Sequence, residues 1–139
     1  MPQMKAISLW QPWATLIAIG VKQYETRSWA TSYRGLLAIH AAKRPVKVEE
    51  ITFEISLGLI AAGIRDPYSV PLGAILCIVR LVDVVTTESL MDIEGFFDTD
   101  EYCYGNYDDN RYAWKMEVVK IAPEPISVKG AKGLWTWEY

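Results

Sequence analysis

Three side chains that can bind an anion and move a proton lie within one short segment. Lys22, Glu25 and Arg27 stand in the run Gly20-Val21-Lys22-Gln23-Tyr24-Glu25-Thr26-Arg27. Glu25 and Arg27 are two residues apart, so on a strand they share one face at a separation of roughly 7 Å. An ammonium, a carboxylate and a guanidinium at one cleft edge would bind an anion and supply a proton acceptor. A surface ion-pair network would use the same residues, and the spacing alone leaves both interpretations open.

The charges of the chain are unevenly distributed around this segment. The 139 residues include 14 basic and 17 acidic side chains, a net charge of −3. Residues 1–47 carry seven basic side chains and one acidic side chain, whereas residues 81–110 carry nine acidic side chains and no Lys or Arg. The basic region favours an anionic partner such as nucleic acid. The acidic region predicts a solvated loop, an ion-paired partner of the basic region, or a protein-interaction surface in residues 88–110.

The sequence contains few residues that could bind a metal and no recognisable cofactor-binding motif. His40 is the only histidine and lies in an apolar run, which predicts a core histidine bonded to the backbone. Zinc sites with two or more histidines are excluded, and no glycine-rich nucleotide loop occurs. We therefore expect no metal and no cofactor. Cys77 and Cys103 are far apart, which predicts no disulfide framework and a cytoplasmic protein. No apolar run approaches the ~18 residues of a membrane span.

The elements that must position the three side chains are a short helix and a polar strand. Pro12 suits the first position of a short N-terminal helix that Gly20 ends. Residues 23–29 alternate as a strand with two polar faces, so one face is expected to line a cleft rather than the core. The main helix is predicted over residues 47–62, where apolar residues recur at helical spacing.

The remaining patterns predict strands over most of the chain. Further strands are expected at residues 6–10, 36–41, 72–85, 112–121 and 133–138. Residues 88–110 are expected to be loop with one helical turn near Met91, and Pro123 and Pro125 predict a turn or an edge strand. About six strands without regular alternation with helices favour an α+β domain over residues 1–139, built as a small, mostly antiparallel barrel.

The segment described first resembles a known family motif. Gly20-x-Lys22-x-x-Glu25-x-Arg27 is similar to the G-x-K-x-x-E-x-R motif of ASCH domains, which are related to the PUA RNA-binding fold. Further runs match the strands of the activating-signal-cointegrator branch of that family: Ile7-Ser8-Leu9-Trp10-Gln11-Pro12-Trp13-Ala14, Arg34-Gly35-x-Leu37-x-Ile39-His40-Ala41, Pro71-Leu72-Gly73-Ala74-Ile75, Tyr112-Ala113-Trp114 and Gly130-x-x-Gly133-Leu134-Trp135. The resemblance implies an open PUA-like barrel with RNA or a modified nucleoside in a cleft beside the motif.

The resemblance leaves catalysis open. Some relatives resemble metal-independent ribonucleases, and in such an enzyme Lys22 and Glu25 would be the catalytic residues. Another branch hydrolyses acetylated cytidine nucleosides and has Thr at the position of Glu25, so that activity is not implied for this chain. The alternatives are therefore a ligand-binding domain, a metal-independent ribonuclease or nucleoside hydrolase, and a protein-interaction module.

Five residues outside the motif are candidates for ligand contact. Trp13 and Trp135 are the tryptophans favoured to face the cleft, because unpaired bases stack on aromatic rings. Gln11 could read a base edge through its amide or form a hydrogen bond at the helix entry. Arg34 and Lys132 are expected to reach phosphates, Lys132 from a glycine-flanked loop. Of the six tryptophans, four are expected to be buried.

Overall fold

One curled sheet forms the framework of the protein. The computed structural model describes residues 1–139. Its six strands are β1 (Gln3–Leu9), β2 (Tyr24–Arg27), β3 (Gly35–Ala41), β4 (Ala74–Thr86), β5 (Tyr112–Ser127) and β6 (Leu134–Glu138). Its helices are α1 (Trp13–Ala18), α2 (Phe53–Ala61), α3 (Thr87–Met91) and α4 (Asp100–Cys103), with 3-10 turns at Val48–Glu50 and Phe96–Asp98.

The strand order gives the sheet its half-barrel shape. The strands lie in the order β2-β5-β4-β3-β1-β6, and every neighbouring pair is antiparallel except β1 with β3. The long strands β4 and β5 shift register three times along their ladder, and such bulges increase the local bend of a sheet. The architecture confirms the predicted α+β, PUA-like barrel of about six mostly antiparallel strands.

The core lies between the curled sheet and α1. Five of the six residues of α1 are buried, and Ile17 packs with Ile7, Leu37 and Trp114 in the largest apolar cluster. A second cluster joins α1 to α2 through Leu16 and Leu59. Because α1 is held from both sides, the chain leaves it at a fixed position and direction just before the motif segment.

Two predicted elements differ from the structure. The main helix begins at Phe53 rather than at residue 47, because the extended residue Thr52 starts a new helix and its side chain accepts a hydrogen bond from Ile55 N. Strand β5 continues through Pro123 and Pro125 to Ser127, so the prolines lie in a part of β5 that pairs with β4 alone, which agrees with the edge strand and not with the turn among the two alternatives. The prolines lie where the ladder with β4 shifts register, so their missing N–H groups leave no regular pairing unsatisfied.

The acidic segment, residues 88–110, is a structured cover rather than a mostly open loop. It contains part of α3 and all of α4, and Phe96 and Tyr107 are buried in their own small cluster with Ala113 of β5. Thr99 begins α4 by accepting a hydrogen bond from Tyr102 N. None of the helices of the protein has the length and apolar character that a membrane span requires.

Candidate functional site

The edge strand β2 positions two of the three motif side chains. It pairs only with β5, with Glu25 opposite Trp114 and Arg27 opposite Tyr112. Thr26, between them, is buried, whereas Glu25 and Arg27 are half-buried on the other face. The alternation of the strand therefore directs a carboxylate and a guanidinium towards the same cavity, as the spacing predicts.

Aromatic and charged side chains enclose that cavity, which has a volume of about 290 Å³. We call it the motif cleft. Nine residues line it: Ser8, Trp10, Trp13, Glu25, Thr26, Arg27, Ser28, Trp29 and Arg111. A neighbouring cavity of about 500 Å³ shares Trp10, Trp13, Glu25 and Arg111 and extends to the acidic segment at residues 103–106. The motif cleft is thus the narrower part of a longer depression.

Two guanidinium groups in the motif cleft have hydrogen-bond partners for only some of their N–H groups. Arg27 donates from Nη2 to the Ser8 carbonyl at 2.7 Å, and Arg111 donates from Nη2 to the Thr26 carbonyl at 3.1 Å. The Nε–H group of each arginine is buried and has no hydrogen-bond partner. Leaving a buried donor unpaired costs about 1–3 kcal/mol. One hydrogen bond to a backbone carbonyl orients each arginine, and the other N–H groups of each guanidinium have no hydrogen-bond partner within the protein.

Glu25 supplies the acceptor beside these donors. Its carboxylate lies 3.8 Å from Arg27 Nε, which is an ion pair without a hydrogen bond, and its side chain is 15% exposed. The cleft therefore presents one hydrogen-bond acceptor and two donors within a small volume, which suits a flat polar group such as a nucleobase edge.

Tryptophan rings form the walls of the cleft. Trp10 is 55% exposed, and the guanidinium of Arg44 lies over one face at 3.9 Å from the ring centroid. Two hydrogen bonds of 2.6 and 3.0 Å from Arg44 to Glu50 hold that guanidinium in place. Trp10 is therefore a preformed and accessible stacking surface.

The tryptophans are less buried than expected. Only Trp114 and Trp137 are buried, so the expectation of four buried tryptophans is wrong. The reason is that Trp10, Trp13 and Trp29 line the motif cleft instead of the core. Trp29 nevertheless remains anchored, since it meets Trp114 edge-on with ring centroids 4.8 Å apart.

Lys22 lies beneath the acidic segment and not in the open cleft. Gly20 ends the helical turn with φ +85°, a conformation that glycine adopts without strain, and Lys22 N then donates to the Leu16 carbonyl at 3.1 Å. The Lys22 residue is 2% exposed, and its Nζ donates to the Tyr104 carbonyl at 3.0 Å. Lys22 thus joins the motif turn to the acidic segment.

Burial has the largest effect on the pKa of Lys22. Removal of the ammonium from water lowers the pKa of Lys22, while the nearby carboxylates of Glu25 and Glu101 oppose the shift. Glu101 accepts hydrogen bonds from Gln23 N at 2.7 Å and Tyr24 N at 3.3 Å. The acidic segment therefore holds the start of β2 by its backbone as well as by Lys22.

Gln11 and Arg34 have local partners outside the cleft. Gln11 is fully buried, accepts from Thr15 N at 2.9 Å and donates to the Pro71 carbonyl at 2.9 Å. This is the helix-entry hydrogen bond that was the alternative to base reading, and burial prevents its amide from reading a base edge. Arg34 donates to the carbonyls of its own loop and lies 3.8 Å from Asp83, so it does not line the motif cleft.

Lys132 and Trp135 lie on the other side of Ser8. Lys132 lines a separate groove that also contains Ser8 and His40. Trp135 donates from Nε1 to Ser8 Oγ at 3.2 Å and meets the His40 ring edge-on at a centroid distance of 5.5 Å. His40 is buried and bonds to the Val128 carbonyl at 2.8 Å, as expected for a core histidine. Of the predicted ligand-contacting residues, Trp13, Glu25 and Arg27 line the motif cleft and Lys132 lines the groove, whereas Gln11, Lys22, Arg34 and Trp135 line neither.

Among the cleft residues that the sequence patterns did not select, which include Trp10, Arg111 is the charged one. It directly precedes β5, and the pairing of β5 with β2 brings its guanidinium to the Thr26 carbonyl. One sequence signal was available, since Arg111 is the first basic residue after a stretch of thirty residues without Lys or Arg. Its place in the cleft depends on a pairing between distant strands, which local patterns do not reveal.

The structure offers no thiol chemistry in the cleft. Both cysteines are free, and burial raises the pKa of Cys77 to about 12, so its thiol stays protonated at neutral pH. No group of three or more His, Cys, Asp or Glu side chains is arranged to hold a metal ion. The chemistry of the cleft thus rests on its carboxylate, its guanidinium groups and its indole rings.

Comparisons with known proteins identify the family of the chain. Activating signal cointegrator 1 from mouse (Mus musculus) is 34% identical over 88 residues, which are 62% of this chain and 15% of the mouse protein. The human (Homo sapiens) protein gives the same identity and coverage, so the chain spans a small part of the length of these relatives. A family model for the ASCH domain matches residues 7–126, and the chain therefore belongs to the ASCH domain family, which is generally linked to RNA binding.

Proposed function

We propose that this domain binds single-stranded RNA, with one unpaired base in the motif cleft. The observation that carries the proposal is the pair of guanidinium groups of Arg27 and Arg111, each with a single hydrogen bond within the protein, beside the Glu25 carboxylate. Unpaired donors next to an acceptor suit a ligand that carries both acceptor and donor groups on one edge. A nucleobase has such an edge, and the exposed ring of Trp10 offers it a stacking surface.

The proposal gives each side chain of the cleft a role. Stacking on Trp10 or Trp13 would contribute about 1–3 kcal/mol per base. Glu25 would accept a hydrogen bond from an exocyclic amino group, which favours cytosine and adenine over uracil. Arg27 and Arg111 would donate to a base carbonyl, a ring nitrogen or the adjoining phosphate. A recessed cleft admits a base only when it is splayed out of a helix, so single strands are preferred over duplexes.

Equilibrium binding of a labelled RNA octamer of alternating C and A tests this function. Trp10→Ala and Arg111→Ala remove a stacking surface and a donor. Tyr68→Ala is the matched control, since Tyr68 is 52% exposed and lines neither part of the depression. We expect each cleft variant to weaken binding by roughly 5- to 150-fold, which corresponds to 1–3 kcal/mol, and the control to change nothing. Equal affinities of all four proteins, or tighter binding of duplex DNA than of the octamer, would contradict the proposal.

A metal-independent hydrolase is the second candidate, and one observation favours it. A lysine acts as a general base at neutral pH only when its pKa is depressed, and burial lowers the pKa of Lys22. Glu25 is the acceptor in the cleft itself. The Lys22 amine is covered by Tyr104 and the adjoining Gly105, so its participation would require movement of the acidic segment. Cleavage of the octamer in the presence of a chelator distinguishes this candidate from a domain that only binds.

A further inference from the structure

A second cavity opens on the other side of Ser8 and contains three lysines. We call it the basic groove. It has a volume of about 910 Å³ and lies between the loop that follows β5 and the segment that precedes β4. Lys43, Lys129 and Lys132 line it, and no acidic residue does. All three lysines are exposed and none forms an ion pair.

This charge distribution is unusual for the molecule. The whole chain carries a net charge of −3, and its acidic side chains are most dense in residues 81–110. Three unpaired ammonium groups around one groove produce a local positive potential that attracts anions against that overall charge. Because the lysines are hydrated and mobile point charges, they suit phosphate groups better than they suit a shaped small molecule.

The floor of the groove is held by a chain of hydrogen bonds. Trp135 Nε1 donates to Ser8 Oγ, Ser8 Oγ lies 2.9 Å from His40 Nδ1, and His40 Nε2 lies 2.8 Å from the Val128 carbonyl. Since a carbonyl only accepts, His40 donates from Nε2 to Val128. Both ring nitrogens of His40 and the Ser8 hydroxyl are engaged within the protein, so these two side chains have little capacity left for an anion.

Gly130 allows the loop to lie directly on this floor. A Cβ atom at position 130 would lie 2.5 Å from Ser8 Oγ and 2.6 Å from the His40 ring, so any side chain there would displace the loop. The backbone N–H groups of residues 129–132 make no hydrogen bond within the protein. The loop therefore presents free N–H donors between Lys129 and Lys132, which is an arrangement suited to anionic oxygens.

Ser8 joins the basic groove to the motif cleft. It lines both cavities, with its carbonyl bonded to Arg27 of the cleft and its hydroxyl bonded to His40 of the groove. A linear ligand that passes over Ser8 would contact both cavities. From this continuity we propose that the basic groove binds the phosphates of the same RNA strand whose base occupies the motif cleft, an inference that rests on the proposed function.

The salt dependence of binding tests the inference. The probes are the labelled RNA octamer of alternating C and A and the dinucleotide CpA, which is too short to occupy both cavities. The test variant replaces Lys43, Lys129 and Lys132 with Ala. The control replaces Lys5, Lys47 and Lys120 with Ala, which removes the same charge from exposed lysines that line neither cavity.

We expect the test variant to weaken octamer binding and to reduce the log–log salt slope by about 2, at ~0.7 for each lost phosphate contact on a single strand. Its affinity for CpA should equal that of the wild type. The control should change the log–log salt slope by less than ~0.7, the value for one phosphate contact. Equal slopes for the test variant and the control would overturn the inference.

Comparison of the cleft variant Arg111→Ala with the triple-lysine test variant distinguishes a failure of this inference from a failure of the proposed function. If Arg111→Ala weakens binding while the test variant matches its control, the cleft binds RNA and the groove does not. The opposite result is that Arg111→Ala binds the octamer as tightly as the wild type does, while the test variant has a smaller log–log salt slope. In that case the groove binds phosphates and the assignment of the base to the cleft is wrong. Failure of the wild type to bind the octamer at any salt concentration overturns both.

Discussion

Arg27 of the edge strand β2 is connected to Ser8 of β1 by a hydrogen bond. Its Nη2 donates to the Ser8 carbonyl at 2.7 Å, although three strands separate β2 from β1 in the strand order. The bond holds the curled sheet together at the point where the motif cleft forms. The same guanidinium lines that cleft and makes no other hydrogen bond within the protein. Arg27 therefore has both a structural and a ligand-binding part.

Arg27→Lys should lower both stability and RNA affinity. The ammonium of lysine is a compact group without the planar, forked N–H donors of a guanidinium. The Ser8 carbonyl therefore loses the directional hydrogen bond from Arg27 Nη2. We expect a loss of about 1–3 kcal/mol in the free energy of unfolding, measured by urea denaturation. Arg34→Lys is the control, because the Arg34 side chain is 40% exposed and bonds within its own loop. Similar losses for both variants would contradict the role of Arg27.

Gln11→Met should lower stability without affecting binding. Methionine has a similar length but leaves Thr15 N and the Pro71 carbonyl without the partners that Gln11 provides. Each unpaired buried group costs about 1–3 kcal/mol, so thermal unfolding should shift clearly downwards. The affinity for the RNA octamer, measured well below the unfolding temperature, should stay unchanged because Gln11 is fully buried. A loss of affinity with unchanged stability would restore the base-reading role.

Lys22 should make stability depend on alkaline pH. Its folded-state pKa is lowered below the unfolded value of 10.5, so between these two values the unfolded chain binds more protons than the native protein. The Lys22 contribution to stability therefore rises with pH through that window. Tyrosine and cysteine groups also titrate there, so the informative quantity is the difference in unfolding free energy between the wild type and Lys22→Met. As the pH rises towards 10.5, the free energy of unfolding of the wild type should increase relative to that of Lys22→Met. A difference that does not change with pH would show that folding leaves the pKa of Lys22 unchanged.

Glu25→Gln separates binding from catalysis. The amide keeps the size of the side chain, retains a hydrogen-bond acceptor and loses the negative charge and the basicity. For a domain that only binds, we expect weaker selection of C and A over U in octamer affinity, with no cleavage by either protein. If Glu25 is a general base, the variant should bind the octamer and lose a cleavage activity that the wild type shows in the presence of a chelator.

The local part of the site could be predicted from the sequence. Alternation along residues 23–29 placed Glu25 and Arg27 on one face of a strand, and both line the cleft. The position of Lys22 could not be predicted in this way, because its cover at Tyr104 comes from a segment 82 residues further along the chain. Acidic composition indicated a loop for that segment, whereas buried aromatics such as Phe96 fold it against β5.

The separation of Trp135 and Lys132 from the motif cleft has the same cause. Trp13 and Trp135 are both partly exposed tryptophans near β1, and no local pattern distinguishes them. The pairing of β6 with β1, which sets Trp135 opposite Ala6, places Trp135 on the groove side of Ser8. The distinction arises from strand order, which is a property of the whole sheet.

The indole N–H signals of the six tryptophans provide the most direct test of the central claim that RNA binds in the motif cleft. A ¹⁵N–¹H correlation spectrum, assigned by single Trp→Phe variants, is recorded during titration with the unlabelled octamer. The account predicts that the signals of Trp10 and Trp13 shift progressively, while that of Trp137, which is buried away from both cavities, stays in place. Saturable shifts confined to Trp137, or no shift at Trp10 and Trp13 when binding is saturated, would contradict it.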